Sequence, residues 1–196
     1  MHYQSYADIF RPAFRRDALV YDVLLILGAS VFLALSAQIA IRVPFSPVPI
    51  TGQTLAVLLT GALLGSRRGA MAIIVYLLEG VSGIPVFAAA KFGLIHLLGP
   101  TGGYLMGFVP AAFLVGFLTE RGWDRNFLIS LLNMFLGTLT IFMCGLAWLS
   151  HFASVDTILA MGLYPFIPGA LIKIALAALL LPRLWKLLGK NAGHYN

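Results

Sequence analysis

The sequence predicts an all-α integral membrane protein with six transmembrane helices in one bundle. Three observations lead there. Of 196 residues 60% are hydrophobic and only 10% charged, with a mean hydropathy of +0.94. Soluble domains carry roughly 25% charged residues, so a chain this apolar has too little polar surface to face water all round. The apolar residues are gathered into runs, and a hydrocarbon core of ~30 Å needs about 20 apolar residues per helix. The basic residues fall in short clusters between those runs. One membrane domain fills the chain, with no room for a separate soluble one.

The spans are expected at Val23–Ile41, Thr54–Leu64, Ala70–Leu78, Tyr104–Leu118, Phe127–Leu149 and Gly169–Leu188. Residues 1–22 form a cytoplasmic amphipathic segment before them, and 189–196 a cytoplasmic tail. The second and third runs are too short to cross unaided. They need flanking loops that dip into the membrane, which is tolerated where the backbone is buried in protein or lines a wet cavity. The first run follows Asp8, Arg11, Arg15, Arg16 and Asp17 and leads into a full span, so no cleavable leader is expected.

Charge sets the orientation. Arg11, Arg15, Arg16, Arg67, Arg68, Arg121, Arg125, Arg183, Lys186 and Lys190 share one side of a six-span arrangement. The other side holds Arg42 and Lys91, with Lys173 inside the sixth span. Positive residues stay inside, so both termini are expected in the cytoplasm of a plasma-membrane protein. Five or seven spans would scatter the clusters. The net charge of +6 therefore reports topology rather than a nucleic-acid surface. The single cysteine, Cys144, excludes an internal disulfide.

The three outer loops hold seven of the ten prolines, at 44, 47, 49, 85, 100, 165 and 168. Proline fixes φ and glycine permits unusual φ. Such loops are shaped, and they are where an outward-facing pocket would be built. Two stretches stand out: Pro47-Val48-Pro49-Ile50-Thr51-Gly52-Gln53-Thr54-Leu55 and Gly99-Pro100-Thr101-Gly102-Gly103-Tyr104-Leu105. Between them lie Tyr76-Leu77-Leu78-Glu79-Gly80 and Gly83-Ile84-Pro85-Val86-Phe87-Ala88, and the last span opens Pro165-Phe166-Ile167-Pro168-Gly169-Ala170-Leu171-Ile172-Lys173.

In that order, over roughly residues 20 to 188, these segments resemble the BioY family, the biotin-specific substrate-binding (S) components of energy-coupling-factor transporters. The resemblance implies a six-helix protein that binds biotin near its outer face and works with a transmembrane coupling subunit and two ATPases. It implies no cofactor and no enzymatic activity. No Gly-x-x-x-x-Gly-Lys-[Ser/Thr] occurs in the chain, so energy comes from elsewhere. One position departs from the pattern. The family's last helix usually reads Pro-Gly-Asp-x-x-Lys, and here Ala170 stands where the acid would be, while Lys173 remains.

Lys173 lies four residues after Gly169, about 6 Å at the helical rise. An ammonium within a span costs about 2.5–3.5 kcal/mol on insertion scales, and with the nearby helix N-terminus it favours an anion such as a carboxylate; alternatively it snorkels outward. Gln53 and Thr54 open the second span, where an amide suits a ureido group or simply caps the helix. Tyr76, Phe87 and Tyr104 are candidate walls for an apolar ring, or members of an interfacial aromatic belt. Glu79 is a ligand contact or a cap, and Lys91 an anion contact or a solvated loop residue. The loop backbone at Pro47, Pro49, Thr51, Gly99, Pro100, Thr101, Gly102 and Gly103 is expected to shape the site. Ser30, Ala34 and Ala37 share one face of the first span, and small residues permit close helix approach; that stripe docks a coupling subunit or packs within the bundle. Asn133 and His96 are assigned to packing and loop roles, and no metal set is present. The rival readings are an S component for another small acid such as lipoate, an intramembrane enzyme using Glu79 and the lysines, and a scaffold.

Overall fold

The computed structural model describes residues 5–192. Its elements in order are α1 (Tyr6–Ile9), α2 (Arg15–Gln38), β1 (Ala40–Ile41), β2 (Ile50–Thr51), α3 (Gln53–Leu64), α4 (Ser66–Val81), α5 (Ile95–Leu98), α6 (Gly102–Thr119), α7 (Phe127–Leu149), α8 (Val155–Gly162) and α9 (Ile167–Ala192), with 3₁₀ turns at Ala88–Ala90 and Tyr164–Phe166. Four stretches are long and apolar enough to cross a membrane: α2, α6, α7 and Asp156–Leu187, which takes in α8 and α9. α3, with 12 residues, is a shorter apolar helix.

α7 occupies the expected range because its apolar run is unbroken and Asn126 caps it, accepting a hydrogen bond from the Leu128 N–H at 3.0 Å. α2 begins at Arg15 rather than Val23. Nothing breaks the helix after Pro12, and Asp17 sits in its first turn, where a carboxylate suits the dipole. The boundary expected at residue 22 therefore falls inside a helix, and α9 likewise continues to Ala192, into the expected tail. Residues 193–196 of that tail, and 1–4, lie outside the described residues.

α3 and α4 form a tight hairpin about Gly65, whose φ of +84° only glycine adopts without strain. The pair lies close against α6: a Cβ on Gly61 would stand 2.5 Å from the Ala112 carbonyl oxygen. At one end the chain between β1 and β2 folds back over the helices. The two strands pair antiparallel, Ala40 with Thr51 and Ile41 with Ile50, and Val48 is buried against α3, α6 and α7 side chains. At the other end Arg68 bridges Asp8 at 2.8 Å and Asp22 at 2.7 Å, and Arg11 reaches Asp22 at 2.6 Å. Tyr6 donates to the Leu181 carbonyl at 2.6 Å, tying α1 to α9.

The core is apolar, centred on Leu33, Val57, Ile73, Phe108 and Ile141, with a second cluster of Leu58, Ala62, Met134, Ala177 and Leu181. Large side chains such as Leu24, Val31 and Leu35 of α2, Leu132 and Met143 of α7, and Leu171 and Leu176 of α9 point outward. In water that surface would be untenable; in lipid it is the expected exterior.

Candidate functional site

A cavity opens beneath the β1–β2 turn, walled by α3, α6, α7 and α9. The space between its surrounding atoms, including solvent at the mouth, is about 700 Å³. Apolar groups make up most of the wall: Val48, Ile50, Leu58, Leu105, Phe108, Ile141, Phe142 and Phe166. Polar groups gather where β2 enters α3 and faces α9, at Thr51, Gln53, Thr54 and Lys173.

Among the described residues, Lys173 is the only charged side chain in this lining. Its Nζ donates to the Thr51 carbonyl at 2.5 Å and to Thr54 Oγ1 at 2.8 Å. Both acceptors are neutral, so the charge is solvated but not cancelled. Gln53 is buried and braced on both sides of its amide. Nε2 donates to the Tyr76 hydroxyl at 2.7 Å, and Oε1 accepts from Thr51 Oγ1 at 3.2 Å. The Tyr76 hydroxyl donates onward to the Val86 carbonyl at 3.1 Å. An amide so held presents a fixed polar edge, since rotation would break both bonds.

Tyr104 lines the opposite wall. Its hydroxyl donates to the Gly162 carbonyl at 2.7 Å, and its ring lies against Gly145, where a Cβ would approach within 2.3 Å. The ring is therefore locked between α7 and the end of α8. Ala170 faces the same cavity as Lys173. The usual acid would have stood in this lining; with alanine there, the lysine has no carboxylate partner in it.

The expected residues separate into groups. Pro49, Thr51, Gln53, Thr54, Tyr104 and Lys173 line the cavity together. Tyr76 lies one layer back, supporting Gln53, and Phe87 lies behind that, edge-on to Tyr76 with ring centroids 5.7 Å apart. Neither is among the wall residues; both are buried in the adjoining core. Glu79 is also outside the wall, and its carboxylate accepts a hydrogen bond from Ser30 Oγ of α2. Lys91 and Pro47 line a separate outer groove.

The Gly99–Gly103 turn does not touch the cavity either. It starts α6 and seats it. A Cβ on Gly102 would fall 1.7 Å from the Leu97 carbonyl oxygen, and one on Gly103 would fall 2.1 Å from Trp148 Cβ. The Gly99 carbonyl accepts from Trp148 Nε1 at 3.0 Å, and Thr101 Oγ1 donates to the His96 carbonyl at 3.2 Å. Pro100 shapes the turn between them. On the small-residue stripe of α2, Ser30 and Ala37 are fully buried and the partly buried Ala34 packs on the core, the packing that stood beside docking as the reading of this stripe.

Thr138, Ile141 and Phe142 were not foreseen. They follow the i, i+3, i+4 spacing of one helix face, but an apolar helix in lipid carries such spacings on every side. Phe108 and Phe166 were equally silent.

The BioY family profile matches residues 10–190. The chain is 39% identical over 156 residues to the probable biotin transporter BioY of Pyrococcus horikoshii, covering 79% of this chain and 92% of the relative. It is 38% identical over 164 residues to the biotin transporter BioY of Thermotoga maritima, covering 83% and 96%. Among solved structures, the S-component for biotin from an ECF-type ABC transporter superposes with a TM-score of 0.79 at 27% identity, covering 89% of this chain and 95% of that one. With the cavity and nearly all of the bundle inside the matched range, this chain is a member of the BioY family.

Proposed function

We propose that this chain is the membrane substrate-binding component of a biotin uptake system. Six helices (α2, α3, α4, α6, α7 and α9) cross the plasma membrane with both termini in the cytoplasm. The cavity faces outward, and a transmembrane coupling subunit with two ATPases drives import. The relatives named as biotin transporters and the solved biotin S-component support the ligand and the partners. The clustering of basic residues at the end away from the cavity supports the orientation.

One observation carries the reading. A largely apolar cavity holds a single uncompensated cation, Lys173, beside a braced amide, Gln53. That set suits a compact molecule with an apolar body, an amide-like head and a carboxylate. It suits binding better than catalysis. Glu79, the acid that an enzyme would need, is engaged by Ser30 and stands outside the cavity wall.

Purified protein should retain biotin chemically unchanged, read by mass spectrometry of the co-purifying small molecules. Lys173→Ala should weaken the free acid by about 2 kcal/mol or more, roughly thirtyfold in Kd, and its uncharged amide far less. Equal losses for acid and amide would show that Lys173 does not read the carboxylate. A second ligand, lipoate, is favoured by Ala170, which offers no acceptor to a ureido N–H; competition with lipoate and desthiobiotin separates the two.

A further inference from the structure

Beside the cavity lies a groove that the binding site leaves unused. The space within it, solvent included, is about 1030 Å³, and Arg42, Pro44, Pro47, Ala89 and Lys91 are among its walls. Pro49 lines both the groove and the cavity, so the two adjoin across one residue. Arg42 and Lys91 are exposed, and among the described residues neither forms an ion pair. Among the described residues no acidic side chain lines the groove. Glu79, engaged by Ser30, and Asp156 of α8 do not belong to its wall.

Both cations are mounted on pinned backbone. Arg42 follows β1, which pairs with β2, the strand whose Thr51 carbonyl holds Lys173. Lys91 closes a five-residue turn by an antiparallel bridge, in which the Phe87 N–H donates to the Lys91 carbonyl at 3.0 Å. Within that turn Ala89 and Ala90 have φ of 58° and 55°. Left-handed backbone is uncommon for residues other than glycine, asparagine and aspartate, and it persists only where the surroundings enforce it. Here Gln38 enforces it: its Oε1 accepts from the Ala90 N–H at 3.0 Å, and its Nε2 donates to the Phe87 carbonyl at 3.3 Å. The turn that carries Lys91 is thus held in a costly shape on the groove that Arg42 lines.

Two like charges on one groove, with no acid between them, raise the local concentration of anions. We propose that the Arg42–Lys91 groove is an anion-capture vestibule, drawing a small carboxylate to the cavity mouth, with Gln38 as its positioning residue. The vestibule acts on encounter and does not hold the ligand in the bound complex. This rests on the biotin-binding reading, and it assigns to that site its route of entry.

Stopped-flow binding to the full chain tests it. At low salt, the double variant Arg42→Gln/Lys91→Gln should take up biotin about tenfold more slowly, as steering effects of this kind allow, with the dissociation rate unchanged. The association rate of the uncharged biotin amide should not move. At about 1 M salt, where the Debye length is about 3 Å, the wild type and the variant should converge. Gln38→Ala should lower the association rate part of the way and leave dissociation alone. An unchanged association rate for biotin, or a loss carried by faster dissociation, overturns the proposal.

A ligand-free measurement stands beside it. With Cys144→Ala as background and Pro47→Cys as reporter, an anionic thiosulfonate should react faster relative to a cationic one. Neutralising Arg42 and Lys91 should cut that ratio several-fold, and an unchanged ratio overturns the vestibule. Should the wild type retain no biotin while the ratio still falls, the ligand reading fails and the vestibule stands.

Discussion

The two ends of the bundle treat their cations differently. At the end away from the cavity Arg68 lies in a knot between Asp8 and Asp22, and Arg11 shares Asp22. Glu120 accepts from the Ser66 N–H at 2.7 Å and from its hydroxyl at 2.9 Å. At the cavity end Lys173 meets only a carbonyl and a hydroxyl. A paired charge holds structure together; an unpaired one in a half-buried wall holds free energy that an incoming anion can release. The fold is fastened where charges match and receptive where they do not.

Exchanging the consequences of the two sites is the sharpest test of this contrast. Lys173→Ala should carry the largest effect, the thirtyfold loss of acid binding given above, while leaving the melting temperature of the ligand-free protein nearly unchanged. Arg68→Ala should do the reverse. It removes the guanidinium shared by two carboxylates at a partly shielded site, leaving Asp8 to Ser5 and Asp22 to Arg11, and should lower stability by about 1–3 kcal/mol, read as an earlier thermal transition in detergent, with Kd unaltered. A fall in affinity with Arg68→Ala would break the division of labour.

Acid should dissolve the knot before it touches the cavity. Burial pushes the Asp8 carboxyl up, but the Ser5 hydroxyl and N–H and the Arg68 guanidinium together bring it below the ordinary 3.8. A depressed carboxylate contributes stability that is fully present above the unfolded value and is lost as pH falls through the folded one. The melting temperature should therefore drop as pH falls below 3.8, and Asp8→Asn should flatten that drop.

Asp124 runs the opposite way and sets the smallest effect. Burial raises its carboxyl above 3.8, against the lowering pull of the Trp185 N–H bonded to it and of Arg125 and Tyr6 nearby, and among the described residues its Oδ1 has no hydrogen-bond partner. A raised value means stability that is present at low pH and lost as pH rises through it. Asp124→Asn keeps the acceptor for Trp185 and should raise stability at neutral pH by about 1 kcal/mol or less, with no gain below pH 3.8. A destabilised variant at neutral pH would show that the carboxylate is favourably paired.

Much of this was legible in advance, for identifiable reasons. The range of α7 and the end of α3 follow from unbroken apolar runs stopped by Asn126 and Gly65. Lys173, Gln53 and Thr54 were visible because polar side chains in apolar runs are costly and demand partners. Tyr76, Phe87 and Glu79 have the right chemistry and lie on elements that approach the site, yet they point into the neighbouring core or toward α2. Residue type and depth can be read from a linear pattern. Azimuth cannot, because a helix surrounded by lipid on one side and helices on the other is apolar on both. Ser30, Ala34 and Ala37 show the same ambiguity: Ser30 and Ala37 are buried within the bundle, which no linear pattern announces. The wall residues of α6 and α7 had no polar atom to betray them.

Composition and spacing by themselves determined that the chain is a helical membrane bundle with its prolines concentrated at one end. The energy of placing apolar and charged groups in lipid or water depends on local sequence alone. The tertiary structure decided which of the polar residues share a cavity, that Lys173 stands there without a carboxylate, and that Arg42 and Lys91 line one groove. Those facts depend on how each helix is turned about its own axis, and that rotation is set by contacts between residues far apart in the chain.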